Sequence, residues 1–114
     1  MNIKRGDIYL ASLDPVKGKE ISKTRPVVII SNDKNNEFSA TVTILPLTSR
    51  NLGKIYPFEV FLPQGAGNLH QDSKVKADQI RTLDNSRLIN PFGKLEKATV
   101  SQIERAIKIH LDIT

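Results

Sequence analysis

The stretch Lys-Thr-Arg-Pro-Val-Val-Ile-Ile-Ser, residues 23–31, decides the fold. Its second half is an uninterrupted β-branched run, which reads as a central strand over 26–31 covered on both faces. Proline is tolerated at the first position of such a strand. In front of the run stands Arg25, a permanent cation at the mouth of the core. Arginine is rarely buried unless paired, so its position asks for an explanation.

Working outward, residues 7–13 read as a first strand with apolar side chains on both faces, stopped by Asp14-Pro15. A polar, basic loop over 16–24 joins the two. After the central strand, residues 32–36 form a turn cluster. A third strand spans 40–47, and its Pro46 suggests an edge or a bulge. A polar loop over 49–54 follows. Residues 58–62 read as a strand with Phe58, Val60 and Leu62 on one face, and a loop with Gly65 and Gly67 leads to two short strands, 73–77 and 79–83, near a bend. Residues 87–89 offer one more before Asn90-Pro91. Then the period changes. Val100, Ile103, Ile107 and Leu111 recur at helical spacing, and Thr99 to Gln102 or Ser101 to Glu104 fits a capping box, so a helix is expected over 100–111. Ala106, Ile109 and Ile113 form a second apolar stripe, expected to pack on the barrel rather than on a second subunit. Short strands followed by one helix predict a small, strongly bent β-barrel with a C-terminal helix, in a single domain over 1–114.

Composition narrows the function classes. The 114 residues hold 39% hydrophobic and 25% charged side chains, one core's worth in a soluble chain. Cysteine is absent, which excludes disulfides and thiolate metal sites and fits a reducing cytoplasm. No apolar run approaches the roughly 20 residues of a membrane span. The first residues carry charge with no apolar segment behind it, so no secretory signal is expected. The net charge is +5 and lies mostly in the first half: residues 1–57 hold nine Lys/Arg and five Asp/Glu. Lys17, Lys19, Lys23 and Arg25 face only Glu20 within nine residues, which is where a phosphate would be drawn.

No P-loop, dinucleotide fingerprint or His-Glu-x-x-His is present. Asp72, Asp78 and Asp84 are spread along strands and turns, so no metal site is expected. His110 falls on the helix, where histidine more often packs than catalyses. His70 lies in a glycine-containing loop and titrates in a useful range. Arg25 is the stronger candidate. The following proline biases it to extended backbone, the neighbouring strand gives it a rigid mount, and a guanidinium grips phosphate through two parallel hydrogen bonds. Thr48, just past Pro46-Leu47, would aim a hydroxyl at the same group if the two strand ends were neighbours.

These segments, in this order, resemble the MazF/PemK family of toxin ribonucleases over nearly the whole chain. The matching stretches are Arg5-Gly-Asp-Ile-Tyr-Leu with Asp14-Pro and Glu20, then Thr24-Arg-Pro-Val-Val-Ile-Ile-Ser-Asn32 and Leu45-Pro-Leu-Thr48. Tyr56-Pro-Phe-Glu-Val60 and Ala77-Asp-Gln-Ile-Arg-Thr-Leu-Asp84 with Arg87-Leu88 complete them. The resemblance implies an SH3-like barrel of the PemK/CcdB type, a homodimer, and a cytoplasmic, metal-independent endoribonuclease without cofactor. It implies a catalytic arginine and threonine at Arg25 and Thr48, cleavage of single-stranded RNA at short preferred sequences, and inhibition by a cognate antitoxin. In that chemistry the ribose 2′-hydroxyl attacks phosphorus, giving a 2′,3′-cyclic phosphate and a 5′-hydroxyl. One donor placed in advance on developing charge contributes about 2.7–4 kcal/mol. The base is not named by the sequence; Glu20 is the first candidate and His70 the second. Lys17, Lys19 and Lys23 would attract the RNA backbone, Asp78 and Gln79 would read base edges or merely close a turn, and His70 is a further RNA-binding candidate. Members of the family often carry glycines between the glutamate and the arginine. Ile21-Ser-Lys-Thr24 has none, so a stiffer loop with an apolar seat for Ile21 is expected. Two alternatives stay open: a non-enzymatic toxin of the CcdB gyrase-binding type, and a plain RNA-binding module.

Overall fold

The computed structural model describes residues 2–14, 17–20 and 23–114. Its strands are β1 (Asp7–Ser12), β2 (Thr24–Ile29), β3 (Thr41–Thr48), β4 (Glu59–Leu62), β5 (Ser73–Lys76), β6 (Arg81–Asp84) and β7 (Leu88–Lys94). They form one antiparallel sheet in the order β4-β5-β3-β2-β1-β7, with β6 also on β3. The class is mostly β with a C-terminal helix, as expected, although the sheet does not close: its end strands β4 and β7 are not hydrogen-bonded to each other. The apolar run occupies the middle of the order. Val27, Val28 and Ile29 are at most 1% exposed, with β1 on one side and β3 on the other. Alternation sends Val28, with Ile8, Leu45 and Leu47, into one apolar cluster, and Val27 and Ile29, with Tyr9, Val42 and Ile44, into a second on the opposite face.

Pro46 sits at a bulge, one of its two expected settings. Between the pairs Ile44↔Arg81 and Leu47↔Val75, β3 advances three residues while the facing chain retreats six. The three extra residues are the 3-10 turn Ala77–Gln79, so β5 and β6 are two halves of one partner strand with a bulge between them. That excess lets β5 and β4 turn away from the plane of β6. Three boundaries differ from expectation. The turn cluster is a short helix, α1 (Asp33–Phe38), because the Asn32 carboxamide accepts the Asn35 N–H and caps it. β7 runs through Asn90-Pro91 rather than stopping there; β1 follows it with register shifts, which a proline at an irregular edge allows. The last helix, α2 (Lys97–Leu111), starts earlier than expected, with Glu96 at the N-cap making no side-chain cap bond, so neither capping box forms its start. It buries Ile103 and Ala106 against the first cluster and leaves Ile109 and Leu111 exposed.

Candidate active site

The register of the two central strands brings Arg25 and Thr48 together. Val27 pairs with Pro46 and Val28 with Leu45, and continuing that register by two residues sets Arg25 across from Thr48. Arg25 is half-buried, and its Nη1 donates to the Leu47 carbonyl at 3.3 Å, which ties the guanidinium to the end of β3. The Thr48 hydroxyl accepts the Arg50 N–H at 3.2 Å and so fixes the turn that brings Arg50 back beside them.

Two clefts meet at this ridge. One, of about 350 Å3, is lined by Arg25, Thr48 and Arg50 together with Leu10, Pro26, Leu69, His70, Gln71 and Phe92. The other, of about 370 Å3, is lined by Arg25, Thr48 and Arg50 with Lys19, Glu20, Asn51, Lys74 and Lys76. Burial, and after it the like charge of Arg50, push the Arg25 guanidinium below its ordinary value, while Asp14 pulls the other way. It remains cationic at any working pH. Two guanidiniums that repel across one ridge gain when an anion settles between them.

Of the other residues singled out in the sequence, Lys19, Glu20 and His70 line the clefts. The Glu20 carboxylate accepts the Lys17 N–H at 2.7 Å, closing a tight turn over 17–20. His70 is exposed and stacks on Phe92, with ring centroids 5.1 Å apart. Lys17 and Lys23 are exposed and line neither cleft. Lys23 closes the neck of the loop: its N–H donates to Asp14 Oδ1 at 2.9 Å, and its carbonyl accepts from Leu13 N–H at 3.0 Å. To do so it adopts a left-handed backbone with φ 69°. The expected seat for Ile21 lies outside the described residues. Asp78 and Gln79 sit on the bulge between β5 and β6 and line neither cleft; Asp78 faces Lys76 at 3.6 Å. Among the described residues no three His, Asp or Glu side chains converge as a metal site.

The sequence reading passed over Arg50, Phe92 and a buried charge cluster. Glu59 Oε1 accepts from Lys74 at 3.0 Å and its Oε2 from Lys76 at 2.6 Å, with side-chain exposures of 0%, 4% and 20%. Lys74 also donates to the carbonyls of Asn51 (2.9 Å) and Lys54 (3.1 Å), pinning the loop that carries Arg50. Burial works to raise the Glu59 carboxyl, but the hydrogen bonds from Lys76, the Tyr56 N–H and Lys74 outweigh it and hold it below the usual carboxylate range. A signal existed for this cluster: Glu59 alternates with Phe58 and Val60 on the strand, and Lys74 and Lys76 share one face of the next.

The model of the PemK-like, MazF-like toxin of type II toxin-antitoxin systems matches residues 4–111. Endoribonuclease MazF9 of Mycobacterium tuberculosis is 38% identical over 116 residues, covering 97% of this chain and 98% of that protein. Among solved structures, MazF from Deinococcus radiodurans superposes with a TM-score of 0.85 at 26% identity, covering 99% of both chains. An endoribonuclease in complex with its cognate antitoxin, from a mycobacterial species, gives a TM-score of 0.80 at 25% identity over 98% of this chain and 97% of that one.

Proposed function

Taking as premise that this chain belongs to the PemK-like, MazF-like toxin family, we propose that it is an endoribonuclease toxin that cuts single-stranded RNA without a metal. The observation that carries the chemistry is the setting of Arg25 across from Thr48, on adjacent central strands, at a ridge shared by two clefts. The scissile phosphate lies on that ridge. The ribose 2′-oxygen attacks phosphorus and loses its proton to a base; the bond from phosphorus to the 5′-oxygen breaks, and that oxygen takes up a proton. Products are a 2′,3′-cyclic phosphate and a 5′-hydroxyl. Arg25 stabilises the extra charge on the five-coordinate phosphorus, and Thr48 orients the phosphate or the attacking hydroxyl. Glu20, which lines the second cleft together with Arg25 and Thr48, is the proton acceptor. Lys19 and Arg50 draw the backbone phosphates on either side.

The relative solved with its antitoxin supports the same kind of inhibitor here. Ile109 and Leu111 at the end of α2 and Ile113 just beyond it, with Tyr56 and Phe61, expose apolar surface suited to a second chain, in a homodimer or in the inhibited complex. No described helix is long and apolar enough to cross a membrane, and the cytoplasm is the compartment where its RNA would be met.

The test is cleavage of an unstructured transcript in excess chelator, with the new ends mapped. Cleavage should persist, and the downstream fragments should accept phosphate from a polynucleotide kinase without prior dephosphorylation. A requirement for magnesium, or fragments already bearing a 5′-phosphate, would overturn the mechanism. Inhibition of gyrase without RNA cleavage would favour the CcdB-type alternative, and salt-sensitive RNA binding without cut product would favour a plain binding module.

A further inference from the structure

The first cleft is lined by two chemically different sets of side chains: the cations Arg25 and Arg50, and the apolar or aromatic Leu10, Pro26, Phe92 and His70. The His70 imidazole lies on the Phe92 ring at 5.1 Å with 18° between the planes. Resting on Phe92, the exposed imidazole forms a flat step in the cleft wall. That step is held from beneath. The Asn68 carboxamide donates to the Phe92 carbonyl at 2.8 Å. A Cβ on Gly93 would come within 2.8 Å of the Gly67 backbone, so the turn bearing His70 and the strand bearing Phe92 are in direct backbone contact. Leu69, 3% exposed, anchors the residue before the histidine in the core.

A cleft lined by both cations and a fixed aromatic step has the chemistry of one nucleotide, whose phosphate suits the first and whose base suits the second. We propose that His70, backed by Phe92, is a stacking platform for an unstacked RNA base next to the scissile phosphate. This rests on the reading of the chain as an RNA-cutting enzyme. It narrows the expected RNA-binding role of His70 to stacking rather than proton transfer, and gives Gln71, which lines the same cleft, the edge of the stacked base. Stacking a base on an aromatic side chain is sequence-tolerant, since every base has a π-face. The platform therefore contributes affinity at a fixed distance from the cut more than choice of base.

The experiment is single-turnover cleavage of a short RNA carrying the mapped cut site, compared with versions in which one base near the cut is removed. Wild-type protein should lose roughly 10- to 100-fold in kcat/KM when the platform's base is missing. His70→Ala should show a similar loss on intact RNA and little further loss on that abasic RNA, while abasic sites elsewhere cost both proteins alike. His70→Phe, which keeps a flat ring and has no proton to exchange, should retain most activity. Equal abasic penalties in wild type and His70→Ala at every position would overturn the platform, as would an inactive His70→Phe that stays folded. If wild-type protein cut no RNA, the enzymatic reading would fail by itself. The platform would then be judged by fluorescence quenching of 2-aminopurine oligonucleotides, where equal quenching by wild type and His70→Ala would refute it.

Discussion

Replacing Glu59 with glutamine removes the carboxylate that bridges Lys74 and Lys76 while keeping the side-chain volume. The cost follows from what each lysine can do next. Lys76, with 20% of its side chain exposed, can turn toward water, although Asp78 at 3.6 Å offers it a second anion. Lys74, at 4%, cannot; it keeps the carbonyls of Asn51 and Lys54 and the neutral amide oxygen of the glutamine, but loses its counter-charge. Breaking a buried pair from one side costs about 3–5 kcal/mol. With one lysine able to escape, the lower end applies, about 3 kcal/mol, a large part of the ~5–15 kcal/mol that holds a domain together. At about 4 °C per kcal/mol for a chain of this size, the melting temperature should fall by ~12 °C. The same substitution should flatten the pH dependence of stability. The Glu59 carboxyl is held below its unfolded value, so its contribution is complete above about pH 4.3 and is lost as pH falls through the lower folded value. Burial works to lower the Lys76 ammonium, but Glu59 and Asp78 raise it; its contribution is complete below about pH 10.4 and is lost as pH rises through the higher folded value. Urea denaturation of both proteins between pH 3 and 8 provides the assay. A loss below about 1 kcal/mol at neutral pH, or an unchanged acid limb, would refute the reasoning.

Arg25→Ala should lower kcat for RNA cleavage by at least about 100- to 1,000-fold while the melting temperature stays near that of wild type; retained activity would remove Arg25 from the mechanism. Arg50→Gln should act mainly through KM and should reduce the salt slope of RNA binding by about 0.7, the share of one phosphate contact on a single strand; an unchanged slope would place Arg50 away from the backbone. Gly67→Ala should destabilise the fold by about 1–3 kcal/mol, because φ is +54° and a Cβ there would meet Ile8 Cγ1 at 2.7 Å; thermal melting decides it.

The central strand was legible because four β-branched residues in a row have few homes other than the middle of a sheet. Arg25 stood out for the same reason: a cation joined to that run must be mounted rigidly. Its partner across the sheet was not legible, since register depends on the length and shape of the segment between β2 and β3, and that segment folds as a helix. Arg50 was hidden because an arginine in a polar loop is ordinary until a threonine hydroxyl is seen to fold the loop back. Phe92 was hidden by Pro91, which marks the end of a strand in most settings and here lies within an irregular edge. The cluster around Glu59 escaped because local pattern cannot distinguish a carboxylate that faces water from one that faces two lysines on the adjacent strand.

The tie at the base of the loop between β1 and β2 has a mechanical consequence. Leu13, Asp14 and Lys23 fasten the two strands together before the chain leaves the sheet. The clasp stands between the loop and the strand that mounts Arg25, so displacements of the loop must pass through it to reach that strand. Changes at the tip would therefore act on Glu20, which lies beyond the clasp, before they act on Arg25. Lys23 holds a backbone angle that glycine would adopt without strain. The clasp thus accepts glycine at Lys23, whose backbone atoms make its bonds, but depends on the Asp14 carboxylate.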